Sequence, residues 1–356
     1  MEHVPFKHKR TTLERAEKFI SSDYFTDINL RSRLYTERTS LASIHHYAAD
    51  GRISYTEAMD GKYQSANLGQ SFGPVWSTHW FKLEVVIPST WIGQEVHLLW
   101  NSATEALVWL NGEPRQGLSA DNGRISYIIS HNLRGDTDLQ QTIHVEMACN
   151  HLFGIGNVAI VTQEDDKKTF ALTQAELAVF NRDVFNLILD IETLHDIAKE
   201  CPEENQRGYQ ALYAVNDMIN ILNVSDTSTY SRAREIAQNF FQQKNGQSQH
   251  TLFAMGHAHI DTAWLWPYAE TIRKCARSWS CTLRLMEKYP EFIFTCSQAQ
   301  QYAWVKERYP KIWTDICTFV HRGQFVPVGG TWVEMDGYSK WRSLYQAISV
   351  WTTVFH

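Results

Sequence analysis

Hydrophobic and polar residues alternate with a period of two through much of the stretch between residues 65 and 165. This alternation is typical of strands that bury one face against a second layer. Asn111-Gly112 favours a two-residue hairpin turn at the end of one such strand. Together these features predict a β-sandwich over residues 65–165. Its clearest strand segments are 79–88, 95–100, 106–110 and 142–149.

Helical periodicity dominates on both sides of this predicted sandwich. Residues 12–19 form an amphipathic pattern, which predicts a helical N-terminal arm over residues 1–64. Apolar residues recur at helical spacing from Leu177 to Leu194 and again from Leu212 to Leu222. We interpret residues 166–249 as a helical bridge that ends in a polar linker at 244–249.

The pattern changes again after residue 250, where short apolar runs alternate with longer amphipathic ones. The run Leu252-Phe253-Ala254-Met255 is wholly apolar, which predicts a strand buried on both faces. Strand–helix alternation implies a parallel sheet or a barrel, and three strands are too few to close a barrel. We therefore predict an incomplete α/β domain after residue 250. The further predicted strands are 292–296 and 325–328, and the predicted helices are 268–288, 299–308 and 311–321.

Charge and composition narrow the classes of partner. The formal net charge of −6 provides no sequence-wide basic field for nucleic acid or anionic lipid. No apolar run approaches the roughly 18 residues that a membrane span requires. The charged N-terminus has no apolar core behind it, so no secretory signal is seen. The six cysteines form no CxxC pair, and we expect reduced thiols in a cytosolic setting. The oligomeric state stays open, a homo-oligomer included.

The segment with the most chemistry-bearing residues is Gly256-His257-Ala258-His259-Ile260-Asp261, directly after the first predicted strand. Residues two apart in an extended chain project to the same side, so His259 and Asp261 are expected to face one point. A nitrogen and an oxygen ligand suit a zinc-like divalent ion. His257 and His259 also satisfy the HxH pattern of amidohydrolase barrels, which leaves that class open.

The flanking residues carry a more specific resemblance. Gly256 to Ser280, read GHAHIDTAWLWPYAETIRKCARSWS, closely resembles the first catalytic motif of glycoside hydrolase family 38 α-mannosidases of the cytosolic or vacuolar subgroup. Residues 297–302 and 329–337 resemble the next two family blocks in the right order. Trp-Leu-Asn-Gly at 109–112 resembles galactose-binding-like jelly rolls. The resemblance covers roughly 65–337 and implies the start of a seven-stranded-barrel-type catalytic domain. We find no resemblance after Gly337. The resemblance therefore implies the N-terminal part of the catalytic domain over 250–337 and a tail outside the family over 338–356.

The resemblance implies a role for each matching residue. His259 and Asp261 match two of four ligands of one Zn²⁺ or Co²⁺ ion. Trp264 matches the aromatic residue that floors the mannose subsite, and Glu334 and Asp336 are expected to line the same site. The family hydrolyses terminal α-D-mannosides of free oligosaccharides with retention, through a carboxylate nucleophile and a second carboxyl group. Mannose-containing oligosaccharides are therefore the expected partners.

Two residues that the family requires have no match here. The family's nucleophilic Asp lies in a later block that reads like LPDxFGYS, and its fourth metal ligand is a later His. The catalytic nucleophile is thus unassigned in this chain, and we expect a truncated, catalytically incomplete form. Two other classes stay open, namely a non-catalytic carbohydrate-binding or assembly fragment and a metal-dependent amidohydrolase.

Overall fold

The computed structural model describes residues 8–22, 24–121, 123–135, 139–155, 167–202, 204–244, 251–329 and 331–334. Its helices are α1 (Lys9–Ile20), α2 (Tyr55–Met59), α3 (Arg182–Glu200), α4 (Gln206–Ile221), α5 (Ser228–Phe241), α6 (Tyr268–Lys288), α7 (Ala299–Arg308) and α8 (Pro310–His321). The strands from the N-terminus to the helical region are β1 (Tyr35–Ser40), β2 (Ser43–Ala49), β3 (Gln64–Ser65), β4 (Ser71–Phe72), β5 (Thr78–Val86), β6 (Glu95–Asn101), β7 (Glu105–Leu110), β8 (Glu113–Ser119), β9 (Ser126–Ser130), β10 (Gln140–Ala148), β11 (Phe170–Ala171) and β12 (Gln174–Phe180). The later strands are β13 (Gly256–His257), β14 (Phe294–Cys296) and β15 (Phe325–Pro327).

The predicted β-sandwich is present as two antiparallel sheets. One sheet has the strand order β1-β12-β6-β9 and the other β3-β2-β5-β10-β7-β8. Alternate residues of the long strands, among them Phe81, Leu98 and Val145, point between the sheets and form an apolar core. Asn111 and Gly112 both have positive φ, at 52° and 79°, and they join β7 to β8. The hairpin turn that the sequence predicted is therefore confirmed.

The sandwich extends beyond the 65–165 range on both sides. β1 and β2 precede residue 65, and β12 follows residue 165, so Leu177 lies in a strand. β1 reads Tyr-Thr-Glu-Arg-Thr-Ser and is an edge strand, which explains why it has no apolar alternation. None of its side chains is fully buried, so apolar periodicity does not identify this strand.

The N-terminal helix α1 packs against the helices α3, α4 and α5. Ala16 of α1 and Leu30 pack with Leu187, Leu212 and other residues of α3, α4 and α5 in a core of their own. α3 begins at Asn181, whose Oδ1 accepts a hydrogen bond from the Val184 amide at 3.1 Å. α1 therefore forms one unit with the helical bridge. The prediction of a helical arm over residues 1–64 is otherwise wrong, because β1 and β2 pair with strands of the sandwich.

The segment after residue 250 contains three parallel strands in the order β13-β14-β15, with α6, α7 and α8. The prediction of a strand over Leu252–Met255, buried on both faces, is wrong. Leu252 and Phe253 are 93% and 82% exposed, and the strand covers only Gly256–His257. The physical reason is that, among the described residues, β13 pairs on one side only, so nothing covers the preceding apolar run.

The sandwich and the α/β segment share one hydrophobic core. Trp80 and Trp109 of the sandwich pack in the same cluster as Trp279, Tyr302 and Phe325 of the α/β segment. Trp279 and Tyr302 stack with ring centroids 4.7 Å apart. The interface between these two parts is therefore packed like a domain interior.

A buried network of charges crosses the same interface. Glu270 of α6 is fully buried and pairs with Arg273 and Arg277 of its own helix. Arg277 and Lys274 reach Glu105 of β7, and Arg273 reaches Glu146 of β10 at 3.5 Å. Since each of these charges is buried with a partner, the removal of one member leaves another uncompensated.

We expect cleavage at the linker to leave the two parts associated. Trypsin cleavage after Lys244, at the start of the linker, separates the chain into two fragments. The shared core of Trp80, Trp109 and Trp279 should hold these fragments together. The two fragments should elute together in native gel filtration and separate only in denaturant. Fragments that elute apart under native conditions would contradict the shared core.

We also expect Glu270→Gln to destabilise the chain in a pH-dependent way. Burial raises the pKa of Glu270, but Arg273 and Arg277 outweigh this and lower it from 4.5 to about 2. The stabilisation is therefore complete above pH 4.5 and disappears as the pH falls through about 2. At neutral pH the free energy of unfolding in urea should be about 3–5 kcal/mol lower for the variant than for wild type. This difference should shrink below pH 4.5.

Glu287→Gln is the matched control for this measurement. Glu287 lies on the same helix and pairs with Arg284, but its side chain is 45% exposed. A surface pair contributes less than about 1 kcal/mol, so this variant should remain close to wild type. Equal losses in the two variants would argue against a special role for the buried network.

Candidate functional site

The loop that follows β13 brings His259 and Asp261 together. His259 Nε2 lies 3.3 Å from Asp261 Oδ1, and both side chains line one cleft. The convergence predicted from their spacing is confirmed, and their role as metal ligands stays a prediction. Two ligands bound at about 2.0–2.1 Å to a tetrahedral ion lie about 3.3 Å apart. This pair of atoms therefore fits two positions of a zinc-like ion.

Glu334 contacts the other side of the His259 ring. Its carboxylate pairs with His259 Nδ1 and accepts a hydrogen bond from the Ser297 hydroxyl. The two carboxylates thus face opposite nitrogens of one imidazole and do not converge on a common point. In keeping with this, the described part of the chain contains no group of three or more His, Cys, Asp or Glu residues placed to hold a metal.

The same two carboxylates determine the protonation of His259. Partial burial lowers its pKa, but the negative charges of Glu334 and Asp261 outweigh that effect and raise the pKa above 6.5. The protonated imidazole cannot bind a metal, so proton and metal compete for this site.

The cleft has a volume of 290 Å³ and opens to solvent. Besides His259, Asp261 and Glu334, its wall contains the aromatic residues Tyr268, Trp304 and Trp332. Trp332 Nε1 donates to Gln300 Oε1 at 2.9 Å, and the Gln300 amide donates to the Trp332 carbonyl at 3.0 Å. These bonds hold the segment before Glu334 against the start of α7.

Sequence reasoning did not single out these aromatic wall residues. Trp304 lies two residues beyond the block at 297–302, and Tyr268 begins α6. Their types were visible in the sequence, but an aromatic residue is more often core than wall, and only the fold separates the two cases.

The other predicted substrate-binding residues are placed differently. Trp264 is 49% exposed and is absent from the cleft wall. Its ring lies edge-on to Phe153 of the sandwich, with centroids 6.2 Å apart, and to Trp266 at 5.7 Å. Asp336 lies outside the described residues. Of the predicted set, the structure therefore joins His259, Asp261 and Glu334.

Models of two known protein families match two parts of this chain. Residues 39–178 match the model described as "Alpha-mannosidase, jelly roll domain", and residues 249–346 match "Glycosyl hydrolases family 38 N-terminal domain". Residues 249–346 therefore resemble the N-terminal domain of glycosyl hydrolases of family 38. The family 38 match runs to residue 346, beyond Gly337, after which we had expected no resemblance.

Individual relatives extend the similarity over most of the chain. Alpha-mannosidase 2C1 of Homo sapiens is 52% identical over 93% of this chain and 32% of that protein. Alpha-mannosidase G of Dictyostelium discoideum is 40% identical over 94% of this chain and 31% of that protein. The chain therefore spans about a third of the length of these relatives. A solved β-glucuronidase from Ruminococcus gnavus covers 42% of the chain, and the chain covers 30% of it, at 11% identity and a TM-score of 0.30, which is too low to support an argument.

We expect Glu334→Gln to lower the pKa of His259. The substitution removes the charge that contributes most to holding this pKa up and keeps the shape of the side chain. Histidine ring signals, followed by NMR across a pH series, should titrate at lower pH than in wild type. Glu291→Gln, an exposed change outside the cleft, should leave the titration unchanged. An unaltered titration in Glu334→Gln would show that the contact does not persist in solution.

Proposed function

We propose that this chain forms the metal-binding and mannoside-recognising part of a retaining α-mannosidase that acts on free oligosaccharides. The observation that carries the proposal is the His259–Asp261 pair in a cleft with aromatic walls. Aromatic faces stack on the C–H faces of sugars, and polar side chains orient sugar hydroxyls. The relatives named above are α-mannosidases by description, which adds support.

His259 and Asp261 are the residues that would hold Zn²⁺ or Co²⁺. When bound, such an ion supplies a Lewis acid and a template for vicinal sugar hydroxyls. Glu334, held by Ser297 and beside His259, is placed to orient the imidazole and to contact a sugar hydroxyl. Trp264 and Asp336 remain proposed substrate contacts by resemblance.

We propose the cytoplasm or vacuole as the place of action. All six cysteines are free thiols, which suits a reducing compartment. Within the described ranges, no helix is both long and apolar enough to cross a bilayer.

The amidohydrolase alternative receives less support. It would require His257 and His259 to face one ion, but His257 Nδ1 bonds the Thr295 carbonyl at 3.1 Å and His257 does not line the cleft. A carbohydrate-binding fragment without turnover remains the second candidate, since the same aromatic cleft supports binding without a nucleophile.

The metal site can be tested by titration with Co²⁺, whose absorption bands report its ligands. We expect weak binding by the wild-type chain, because two protein ligands leave the other positions to water, and loss of binding in His259→Ala and Asp261→Ala. Asp217→Ala, an exposed change on α4, is the control. Binding that survives in both alanine variants would place the ion elsewhere.

We expect hydrolysis of an aryl α-mannoside by this chain to stay at background with added zinc or cobalt. By resemblance, the nucleophilic Asp belongs to a block that residues 1–356 do not contain, and positioning alone does not replace a covalent route. Turnover that disappears in Asp261→Ala would overturn this expectation and would require another carboxylate as nucleophile.

A further inference from the structure

Two buried glutamines reach from the start of α7 to the loop that contains Asp261. Gln298 and Gln301 are 2% and 0% exposed. Their Nε2 atoms both donate to the Ile260 carbonyl, at 2.8 Å and 2.6 Å. The Thr262 hydroxyl donates to Gln298 Oε1 at 2.7 Å and lies 3.1 Å from Gln301 Nε2. The residues on both sides of Asp261 are therefore tied to the same two side chains.

A third side chain holds the loop from α6. Thr271 is fully buried, and its Oγ1 accepts hydrogen bonds from the Ala263 amide and from Trp266 Nε1, each at 3.0 Å. The same hydroxyl lies 3.4 Å from the Asp261 carbonyl. Because Thr271 lies beside Glu270, the loop is connected to the buried charge network of the interface.

The backbone at two of these positions is strained. Ala263 and Gln298 have φ of 63° and 71°, in the left-handed region that side chains other than glycine rarely adopt. Such a conformation costs on the order of 1–3 kcal/mol and persists only where the surroundings hold it in place. The buried hydrogen bonds of the glutamines and of Thr271 are the interactions that hold it.

We propose that Gln298, Gln301 and Thr271 are positioning residues that fix the Asp261 loop in the geometry that a metal ligand requires. The inference rests on the proposed metal site and adds residues for which no role was predicted. Asp261 follows Ile260 and precedes Thr262, so these hydrogen bonds restrain the backbone from which its side chain projects. We call the side-chain hydrogen bonds of Gln298, Gln301 and Thr271 to this loop the clamp. Loss of one of these bonds frees the loop and leaves the residues His259 and Asp261 themselves unchanged.

The first experiment uses the full chain without metal. Amide hydrogen exchange, read by mass spectrometry, is compared for peptides covering residues 256–266 in wild type, Gln298→Met, Gln301→Met, Thr271→Val and Thr262→Val. These substitutions keep side-chain volume and remove the polar contacts, so exchange in this segment should accelerate about tenfold or more, as expected for about 1.4 kcal/mol of lost restraint. Thr262→Ser keeps the hydroxyl and should restore the wild-type rate.

The matched control is Gln324→Met. Gln324 is also buried, and its Nε2 donates to the carbonyls of Met286 and Tyr289, away from the loop. This variant should lose a similar amount of overall stability in urea unfolding and leave exchange of residues 256–266 unchanged. If Gln324→Met accelerates that exchange as much as Gln301→Met, the glutamines act on general stability and the proposal is overturned.

The second experiment is the Co²⁺ titration of the same variants. Gln298→Met, Gln301→Met and Thr262→Val should weaken Co²⁺ binding about tenfold or more, while Thr262→Ser and Gln324→Met bind as wild type. The positioning role is overturned if the wild-type chain binds Co²⁺ and the clamp variants bind it with the same affinity. If wild type itself binds no Co²⁺, the metal proposal fails, and the exchange data alone decide whether the loop is clamped.

Discussion

The buried charge network between α6 and the sandwich is the constraint on which the rest of this structure depends. Glu270, Arg273, Lys274 and Arg277 occupy one face of α6, and Glu105 and Glu146 meet them from two neighbouring strands. Ions are stable in such a place only when each has a partner at the right distance. The network therefore fixes both the rotation and the height of α6 on the sheet, more tightly than apolar contacts alone would.

The site inherits its geometry from that helix. α6 begins directly after the loop that contains Asp261, and Thr271 in the first turn of α6 accepts a hydrogen bond from the loop backbone. The sandwich adds a second restraint at Gly154, where a Cβ would approach the Leu265 carbonyl to 2.3 Å. Lys274 also donates to the Leu152 carbonyl at 2.9 Å. A loop of the sandwich thus packs against the segment that follows Asp261. This contact places the exposed ring of Phe153 beside Trp264.

Sequence patterns located most regular elements because those elements bury one clear face. The predicted helices 268–288 and 299–308 coincide with α6 and α7, and the Asn111-Gly112 turn formed where predicted. Failures occurred where burial depends on neighbours. β1 and β2 are strands through pairing, and the apolar run Leu252-Phe253 stays exposed because its side of β13 has no described partner.

The sequence by itself determined the family resemblance and the convergence of His259 with Asp261, since the flanking motif and the two-residue spacing are both local features. Local geometry suffices for that, because two side chains two residues apart in an extended segment share a face. Only the tertiary structure decided what surrounds them. Glu334, the two glutamines and the wall residues Trp304 and Trp332 come from segments some 35–75 residues away. Parallel strand order and the packing of α6 on the sandwich bring them together. No local pattern encodes such contacts, because they depend on how buried surfaces of distant segments fit together.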